Sequence, residues 1–113
     1  MPTVYRNAQL QGTSSTGSYS NLYNTSSSAT AVISSVVVTN TAATSALYRL
    51  AIVPASASAA APSASNWIVY DATVQANDTV CLTLGLTLGN SQFIRVSSSA
   101  NTVTFSAYIS EIT

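Results

Sequence analysis

The side chains that could perform acid–base or metal chemistry are few in this sequence. It contains three carboxylates, Asp71, Asp78 and Glu111, and neither His nor Lys. Two carboxyl groups within several ångströms of each other can hydrolyse a glycosidic bond, and Asp71 and Asp78 could approach each other across one connection. Asp residues beside turns, however, commonly accept hydrogen bonds from backbone N–H groups. We therefore expect both to be turn acceptors, with a carboxylate pair or a Ca²⁺ site as the alternatives.

Other kinds of catalysis are disfavoured by the residue types that the chain lacks. Without His there is no imidazole base for a Ser or Cys nucleophile, and without Lys there is no Schiff base or phosphate-binding loop. Cys81 is the single cysteine, so it can form no intrachain disulfide. Zinc sites need clustered Cys and His. We expect a protein that is not an enzyme and that binds no cofactor or metal.

The composition also limits the partners. The chain has 113 residues, of which 47% are hydrophobic and 5% charged, and its net charge is zero; an average soluble domain is about 25% charged. Three scattered Arg residues cannot supply a patch that binds nucleic acid or an anionic membrane surface. No apolar run approaches the roughly 20 residues of a membrane helix. Because neutral surfaces with few charges tend to associate, we expect a Ser- and Thr-rich surface that is partly covered within an assembly.

The elements that position these side chains are expected to be β-strands, because apolar and polar residues alternate along much of the chain. No window shows helical periodicity with caps. Antiparallel sheets with one apolar face each must cover each other. This predicts an all-β antiparallel sandwich of the jelly-roll or immunoglobulin-like kind, with a small closed barrel as the alternative. We predict eight strands, over residues 3–10, 19–24, 31–40, 46–53, 67–71, 79–84, 92–96 and 102–112.

The length of the chain suggests one domain with an additional N-terminal segment. We assign residues 19–113 to the sandwich and residues 1–18 to an irregular arm or an edge strand. The first residues, MPTVYRNAQLQ, lack a basic region followed by an apolar run, so we expect no export through a secretory signal. Residues 54–65, PASASAAAPSAS, combine two prolines with four serines and predict an extended surface loop rather than a helix.

The segment NDTVCLTLGLTLGN repeats an aliphatic residue at every second position and contains Gly85 near its middle. Val80, Leu82 and Leu84 are expected to point into the core. Gly85 predicts a bulge or a bend, since a residue without Cβ tolerates the necessary dihedral angles. The alternative is one uninterrupted strand in which Gly85 faces a bulky neighbour.

Two arginines indicate which faces of their strands lie outside. Arg49 alternates with Tyr48 and Leu50, and Arg95 with Ile94 and Val96. An unpaired buried Arg is costly. We therefore place both guanidinium groups on the outer faces, with the apolar neighbours inside.

The aromatic residues are the remaining candidates for contacts with a partner. Exposed aromatic rings can stack on sugars, but they are also favoured in strands and at protein interfaces. The candidates for such contacts are Tyr5, Tyr19, Tyr23, Trp67 and Tyr108.

The residues from about Leu22 to the C-terminus carry a resemblance to a known group. Its most specific parts are YRLAIVPA, WIVYDATVQANDTVCLTLGLTL and FSAYISEI. In these segments the chain resembles small virion structural proteins of tailed bacteriophages, cyanophages among them. Residues before Tyr19 do not match this group, and VPASASAAAPSAS replaces a shorter VPAG-like turn.

The resemblance implies a non-enzymatic component of a virus particle. Small β-sandwich proteins of phages often act as decoration or cement proteins, which sit as trimers over the junctions between capsomers. The expected partners are thus the major capsid protein and further copies of the chain, on the capsid exterior after assembly in the host cytoplasm. A tail or baseplate protein, or a module that binds host carbohydrate, is the alternative. The expected interface residues are Val4, Tyr5, Arg6, Leu10, Tyr19, Tyr23 and Trp67.

Overall fold

The protein is built from β-strands, as a computed structural model shows for residues 3–54, 66–83 and 85–113. No α-helix is present within these ranges. Each of the eight predicted strands is present, with ends that differ by a few residues, and one short strand over residues 86–88 was not predicted. The strands are β1 (Thr3–Gln11), β2 (Ser20–Asn24), β3 (Thr30–Asn40), β4 (Ala46–Pro54), β5 (Trp67–Val74), β6 (Thr79–Leu82), β7 (Leu86–Leu88), β8 (Gln92–Ser98) and β9 (Val103–Ile112).

The strands form two antiparallel sheets that pack face to face. The first sheet has the order β1-β9-β3-β6, with β7 also paired to β3, and the second has the order β2-β8-β4-β5. Most connections cross from one sheet to the other, so neighbours in sequence are seldom neighbours in a sheet. If β6 and β7 count as one interrupted strand, this is the strand order of a jelly roll. The predicted antiparallel sandwich is confirmed. Its strand order is that of a jelly roll and not that of an immunoglobulin-like sandwich.

The core forms between the sheets because each strand buries every second side chain. In β9, Val103, Phe105, Ala107 and Ile109 are buried, while the residues between them are at least partly exposed. The ring of Tyr48 from β4 meets that of Phe105 edge to face, with centroids 6.3 Å apart. The predicted alternation is therefore confirmed.

A bend at Gly85 separates β6 from β7. The backbone of Gly85 has a φ of 60°, and a Cβ built there would meet nothing within 4 Å. The left-handed conformation, not a bulky neighbour, is thus the reason for glycine. Val80 and Leu82 pack against the core, as predicted, and Leu88 is buried in it. Leu84 lies outside the described residues.

The N-terminal segment is part of the first sheet. Strand β1 pairs with β9 in register from Thr3 opposite Ile112 to Gln11 opposite Thr104, so residues 3–11 form an edge strand rather than an irregular arm. The loop that follows is tied to β8, because the N–H of Ser98 donates to Oγ1 of Thr13 (2.9 Å) and Oγ of Ser98 donates to the carbonyl of Thr13 (2.8 Å). The predicted loop over residues 54–65 lies outside the described residues except for Pro54, where β4 ends.

Candidate interaction surfaces

The first candidate surface is the free side of β1, which we call the β1 edge. Strand β1 lies at the end of its sheet, with β9 as its neighbour, and most of its residues are exposed. Val4 is 38% and Tyr5 81% exposed. A shallow depression of about 400 Å³ lies beside the strand, lined by residues 9–11 and 104–106. Among the described residues no strand pairs with this side of β1, and an edge strand with exposed apolar side chains is the usual template for pairing with another strand.

Exposed aromatic residues extend the β1 edge over the outer face of the first sheet. Tyr108 is exposed and lies opposite Asn7, two residues along β1 from Tyr5. Since alternate residues of a strand share a face, Tyr5 and Tyr108 are on the same side. Leu10, by contrast, packs against the core.

Two of the predicted interface residues are engaged inside the chain. Glu111 is buried, its Oε1 accepts a hydrogen bond from Nε of Arg6 (3.1 Å) and its Oε2 accepts one from the hydroxyl of Tyr23. The hydrogen bond from Tyr23, together with Arg6, lowers the pKa of the Glu111 carboxyl, whereas burial and the bond to Glu111 raise the pKa of the Tyr23 hydroxyl. This network joins β2 of one sheet to β1 and β9 of the other.

The second candidate surface lies on the outer face of the second sheet, around Arg49. We call it the arginine–aromatic cluster; its members are Tyr19, Arg49, Trp67, Tyr70 and Asp71. A β-bulge creates it, because Tyr48 pairs with Ala72 while Leu50 pairs with Val69. Two residues of β5, Tyr70 and Asp71, therefore lie opposite Arg49. Asp71 has a φ of 53°, and bulges of this kind redirect side chains.

The guanidinium of Arg49 is held on several sides. Its Nε and Nη2 donate to the two carboxylate oxygens of Asp71 at 2.7 and 3.1 Å. Its Cζ lies 4.1 Å from the ring centroid of Tyr70 and 5.5 Å from that of Trp67, which are cation–π distances. Nη1 donates to the hydroxyl of Tyr19 (3.3 Å). The hydrogen bonds from Arg49 lower the pKa of the Asp71 carboxyl.

The cluster presents aromatic rings to solvent. Tyr70 is 56% exposed, and its ring lies edge-on to Trp67 with centroids 5.0 Å apart. The ring of Tyr19 is tilted by 44° against that of Trp67, with centroids 5.8 Å apart. Such rings can stack on a flat apolar group of a partner, either a sugar ring or a side chain.

Asp71 and Asp78, which the sequence analysis treated as a possible pair, have different roles in the structure. Asp71 lies in β5, where its carboxylate forms an ion pair with Arg49 of β4. The prediction of a turn acceptor is therefore wrong for Asp71. Asp78 accepts the N–H of Thr79 at Oδ1 (2.8 Å), as predicted for a residue beside a turn. Among the described residues, no three His, Cys, Asp or Glu side chains are grouped in a way that could hold a metal ion. Cys81 is exposed in β6.

Arg95 differs from the prediction in its burial. It alternates with the core residues Ile94 and Val96 and so lies on the outer face, as expected, but only 8% of it is exposed. Its Cζ lies 5.6 Å from the ring centroid of Phe93. The outer face of the second sheet is thus covered at this position, which the alternating pattern could not indicate.

Comparison with known proteins gives no relative. No protein-family model, no curated protein and no solved structure matches the chain. Within the described part of the chain, no helix has the length and apolar character needed to cross a membrane.

The sequence reasoning missed Tyr70, and it did not pair Asp71 with Arg49. One signal was present: the chain has three Arg and three acidic residues in all. When charges are so few, a partly buried Arg is expected to lie beside an acidic residue. Asp71 is paired with Arg49, and Glu111 is paired with Arg6.

Proposed function

We propose that this chain is a non-enzymatic structural protein of a tailed bacteriophage particle, most specifically a cement or decoration protein. In this role it lies on the capsid exterior and bridges neighbouring major capsid proteins as a homotrimer, after assembly in the host cytoplasm. The resemblance of residues 22–113 to small phage virion proteins supports this proposal. The jelly roll is compatible with it, since viral capsid domains and lectins use this fold, although a fold does not fix a function.

The observation that carries the proposal is the β1 edge. Strand β1 exposes Val4 and Tyr5, and its one charged residue, Arg6, is paired with Glu111. A strand from a neighbouring subunit can add to such an edge through backbone hydrogen bonds. Adhesion then comes from these bonds and from the burial of apolar surface, which contributes about 25 cal/mol per Å². Each copy can be held weakly, because many copies on one lattice bind together.

The experiment is rebinding of the purified protein to phage shells that lack it. Tyr5→Lys places a charge on the β1 edge without touching the core, so we expect strongly reduced occupancy with an unchanged melting temperature. Thr87→Lys, an exposed position on β7, is the matched control and should bind as the original chain does. Equal occupancy for Tyr5→Lys would contradict the use of this edge.

The protein should also stay attached to the particles at high salt concentration. With 5% charged residues in the chain, ion pairs contribute little to adhesion, and salt screens mainly exposed charges. Release of the protein in molar NaCl would contradict an apolar and backbone-bonded attachment.

The second candidate is a tail or baseplate protein that binds host carbohydrate, and the arginine–aromatic cluster favours it. Its exposed Tyr70 and half-buried Trp67 form a surface on which a sugar ring can stack. Glycan binding by the purified protein that is lost in Tyr70→Ala, with shell binding unaffected, would support this candidate. Copy number separates the two locations, because a cement protein is present in hundreds of copies and a baseplate protein in far fewer.

A further inference from the structure

Among the described edge strands, β1 is the one that has no feature to prevent pairing with a further strand. It runs for nine residues without a proline, and its register with β9 is unbroken. At the other ends of the two sheets, β6 has four residues, and β2 and β5 are interrupted by register shifts. Short or irregular edges resist the addition of a strand, whereas a long and regular edge favours it.

The backbone hydrogen bonds show which groups of β1 point away from its sheet. The N–H of Gly12 donates to the carbonyl of Val103 (2.6 Å), and this contact continues the register of β1 with β9. Because hydrogen-bonded and non-bonded pairs alternate in an antiparallel ladder, the even-numbered residues of β1 bond to β9. The odd-numbered residues, from Thr3 to Gln11, therefore direct their N–H and C=O groups outwards, where no strand of the described chain pairs with them.

The same odd-numbered residues carry a projecting ring and line a depression. Tyr5 is 81% exposed, and the depression of about 400 Å³ is lined by residues 9–11 and 104–106. It opens on the outer face of the sheet, because the core side of Phe105 is fully buried. Tyr5 and Gln9 lie two residues to either side of Asn7. A two-fold axis beside Asn7 therefore places the ring of one copy at the depression of another.

We propose that β1 of one copy pairs antiparallel with β1 of a second copy of this chain, with the two Asn7 residues opposite each other on a two-fold axis. In this register Tyr5 lies opposite the partner's Gln9, and Thr3 lies opposite the partner's Gln11. Each outward N–H of one edge then meets an outward carbonyl of the other edge. The ring of Tyr5 covers the partner's depression, where amide and hydroxyl groups are available to its own hydroxyl.

The charges of β1 favour a second copy as the occupant of this edge. Arg6 is the one charged residue of the strand, and Glu111 of the same chain binds it at 3.1 Å. The edge therefore offers no free charge to a partner of opposite sign. Two copies, by contrast, meet here without unpaired like charges, which would repel each other.

The pairing deepens the proposed function and rests on it in one respect, the arrangement of the copies on a shell. A two-fold contact is isologous and does not by itself close a trimer. On a shell that carries trimers, the contact joins each copy to one copy of an adjacent trimer, so that the first sheets of both continue across it. The neighbouring subunit at the β1 edge is then a second copy of this chain.

Disulfide cross-linking of the purified full chain tests the register. In a Cys81→Ser background, Asn7→Cys places two thiols opposite each other, at a Cα separation of about 5.5 Å that a disulfide can span. Gln9→Cys is the matched control, since its two thiols are about 13 Å apart along the strands. Under oxidation by diamide we expect a covalent dimer from Asn7→Cys and little from Gln9→Cys. No dimer from Asn7→Cys, or equal amounts from both, would overturn the proposal.

A proline variant tests the direction of the free backbone groups. Asn7→Pro removes an N–H that points away from β9, so we expect little change in the melting temperature. Sedimentation over a range of concentrations should show a dissociation constant of the pair that is about tenfold or more higher. Asn7→Thr keeps the N–H and should pair as the original chain does. An original chain that does not pair, or equal constants for Asn7→Pro and Asn7→Thr, would contradict the strand contact.

Rebinding to shells is measured separately from the pairing of copies. Pairing in solution without binding to shells rejects the proposed function and not the strand contact. Binding to shells by a chain that shows neither the cross-link nor the association rejects the strand contact and assigns the β1 edge to a strand of the capsid protein.

Discussion

Arg49 and Asp71 form a two-point ion pair across β4 and β5, and the ring of Tyr70 lies over the same guanidinium. One β-bulge produces both contacts, because it places Tyr70 and Asp71 together opposite Arg49. The side chain of Arg49 is 14% exposed, so it depends on Asp71 for its counter-charge. The bulge is thus an organised feature of the surface and not a defect of the sheet.

Removal of the charge of Asp71 should destabilise the domain. Asp71→Asn keeps the shape and tolerates the positive φ, but it leaves the mostly buried guanidinium of Arg49 without a counter-ion. We expect a lower melting temperature and a change in Trp67 fluorescence, since Arg49 lies over that ring. Asp78→Asn, which removes a charge from an exposed turn, should change the melting temperature of the monomer less; an equal effect would contradict the role of the pair.

Stability should fall in both acid and alkali through the network of Tyr23, Arg6 and Glu111. The folded state lowers the pKa of Glu111 from its ordinary 4.5, so this contribution is present above pH 4.5 and is lost as the pH falls through the lowered value. The folded state raises the pKa of Tyr23 from its ordinary 10.0. The contribution of Tyr23 to stability is therefore present below pH 10.0 and is lost as the pH rises through the raised value. Melting temperatures measured across this range should form a plateau with two declining limbs.

Tyr23→Phe provides the control for this pH profile. It removes the titrating hydroxyl and one donor to Glu111, so both limbs should become shallower. The alkaline limb should persist in part, because burial also raises the pKa of Tyr48. A profile identical to that of the original chain would show that the network does not link stability to pH.

Gly85→Ala should destabilise the domain by about 1 kcal/mol, since a side chain disfavours a φ of 60° even where space is open. Urea unfolding measures this change. Gly17→Ala is the matched control, because a Cβ there would meet Oγ of Ser15 at an ordinary 3.6 Å, and it should be nearly neutral. A loss at Gly17 equal to that at Gly85 would mean that the bend is not the cause.

Phe105→Ala should have a much larger effect. Phe105 is fully buried and contacts Tyr48, and removal of a buried Phe typically costs about 3–5 kcal/mol. Tyr108→Ala, on the exposed side of the same strand, should cost far less. Urea unfolding of both variants tests whether the faces of β9 are assigned correctly.

The fold could be predicted in large part because apolar and polar residues alternate through much of β3, β4 and β9, although the exposed positions also include the apolar Val32 and Leu47. The choice between a jelly roll and an immunoglobulin-like sandwich could not be made in the same way. It depends on which distant strands pair, as β1 does with β9, and local patterns do not record such partners. Strand β7 was missed because three residues are too few to show a period.

The candidate surfaces were only partly predictable. Val4 and Tyr5 are exposed on β1, as an interface requires, and their contact with a partner stays a prediction. The arginine–aromatic cluster depends on the positive φ of Asp71. The sequence has no glycine or asparagine at this position that would have indicated a bulge. The burial of Arg95 depends on what covers its sheet from outside, and the sequence of β8 alone does not contain that information.

The pairing of β1 with β9 has a consequence for how the chain acquires its structure. Thr3 lies opposite Ile112, so β1 cannot gain its sheet hydrogen bonds until β9, which follows all the other strands of the sandwich in the chain, has been synthesised. Contacts that are so distant in sequence form slowly, because the entropy of closing the long intervening segment is lost before any bond compensates for it. Until then β1 has no neighbouring strand in its sheet, and the first sheet stays incomplete until β9 has left the ribosome.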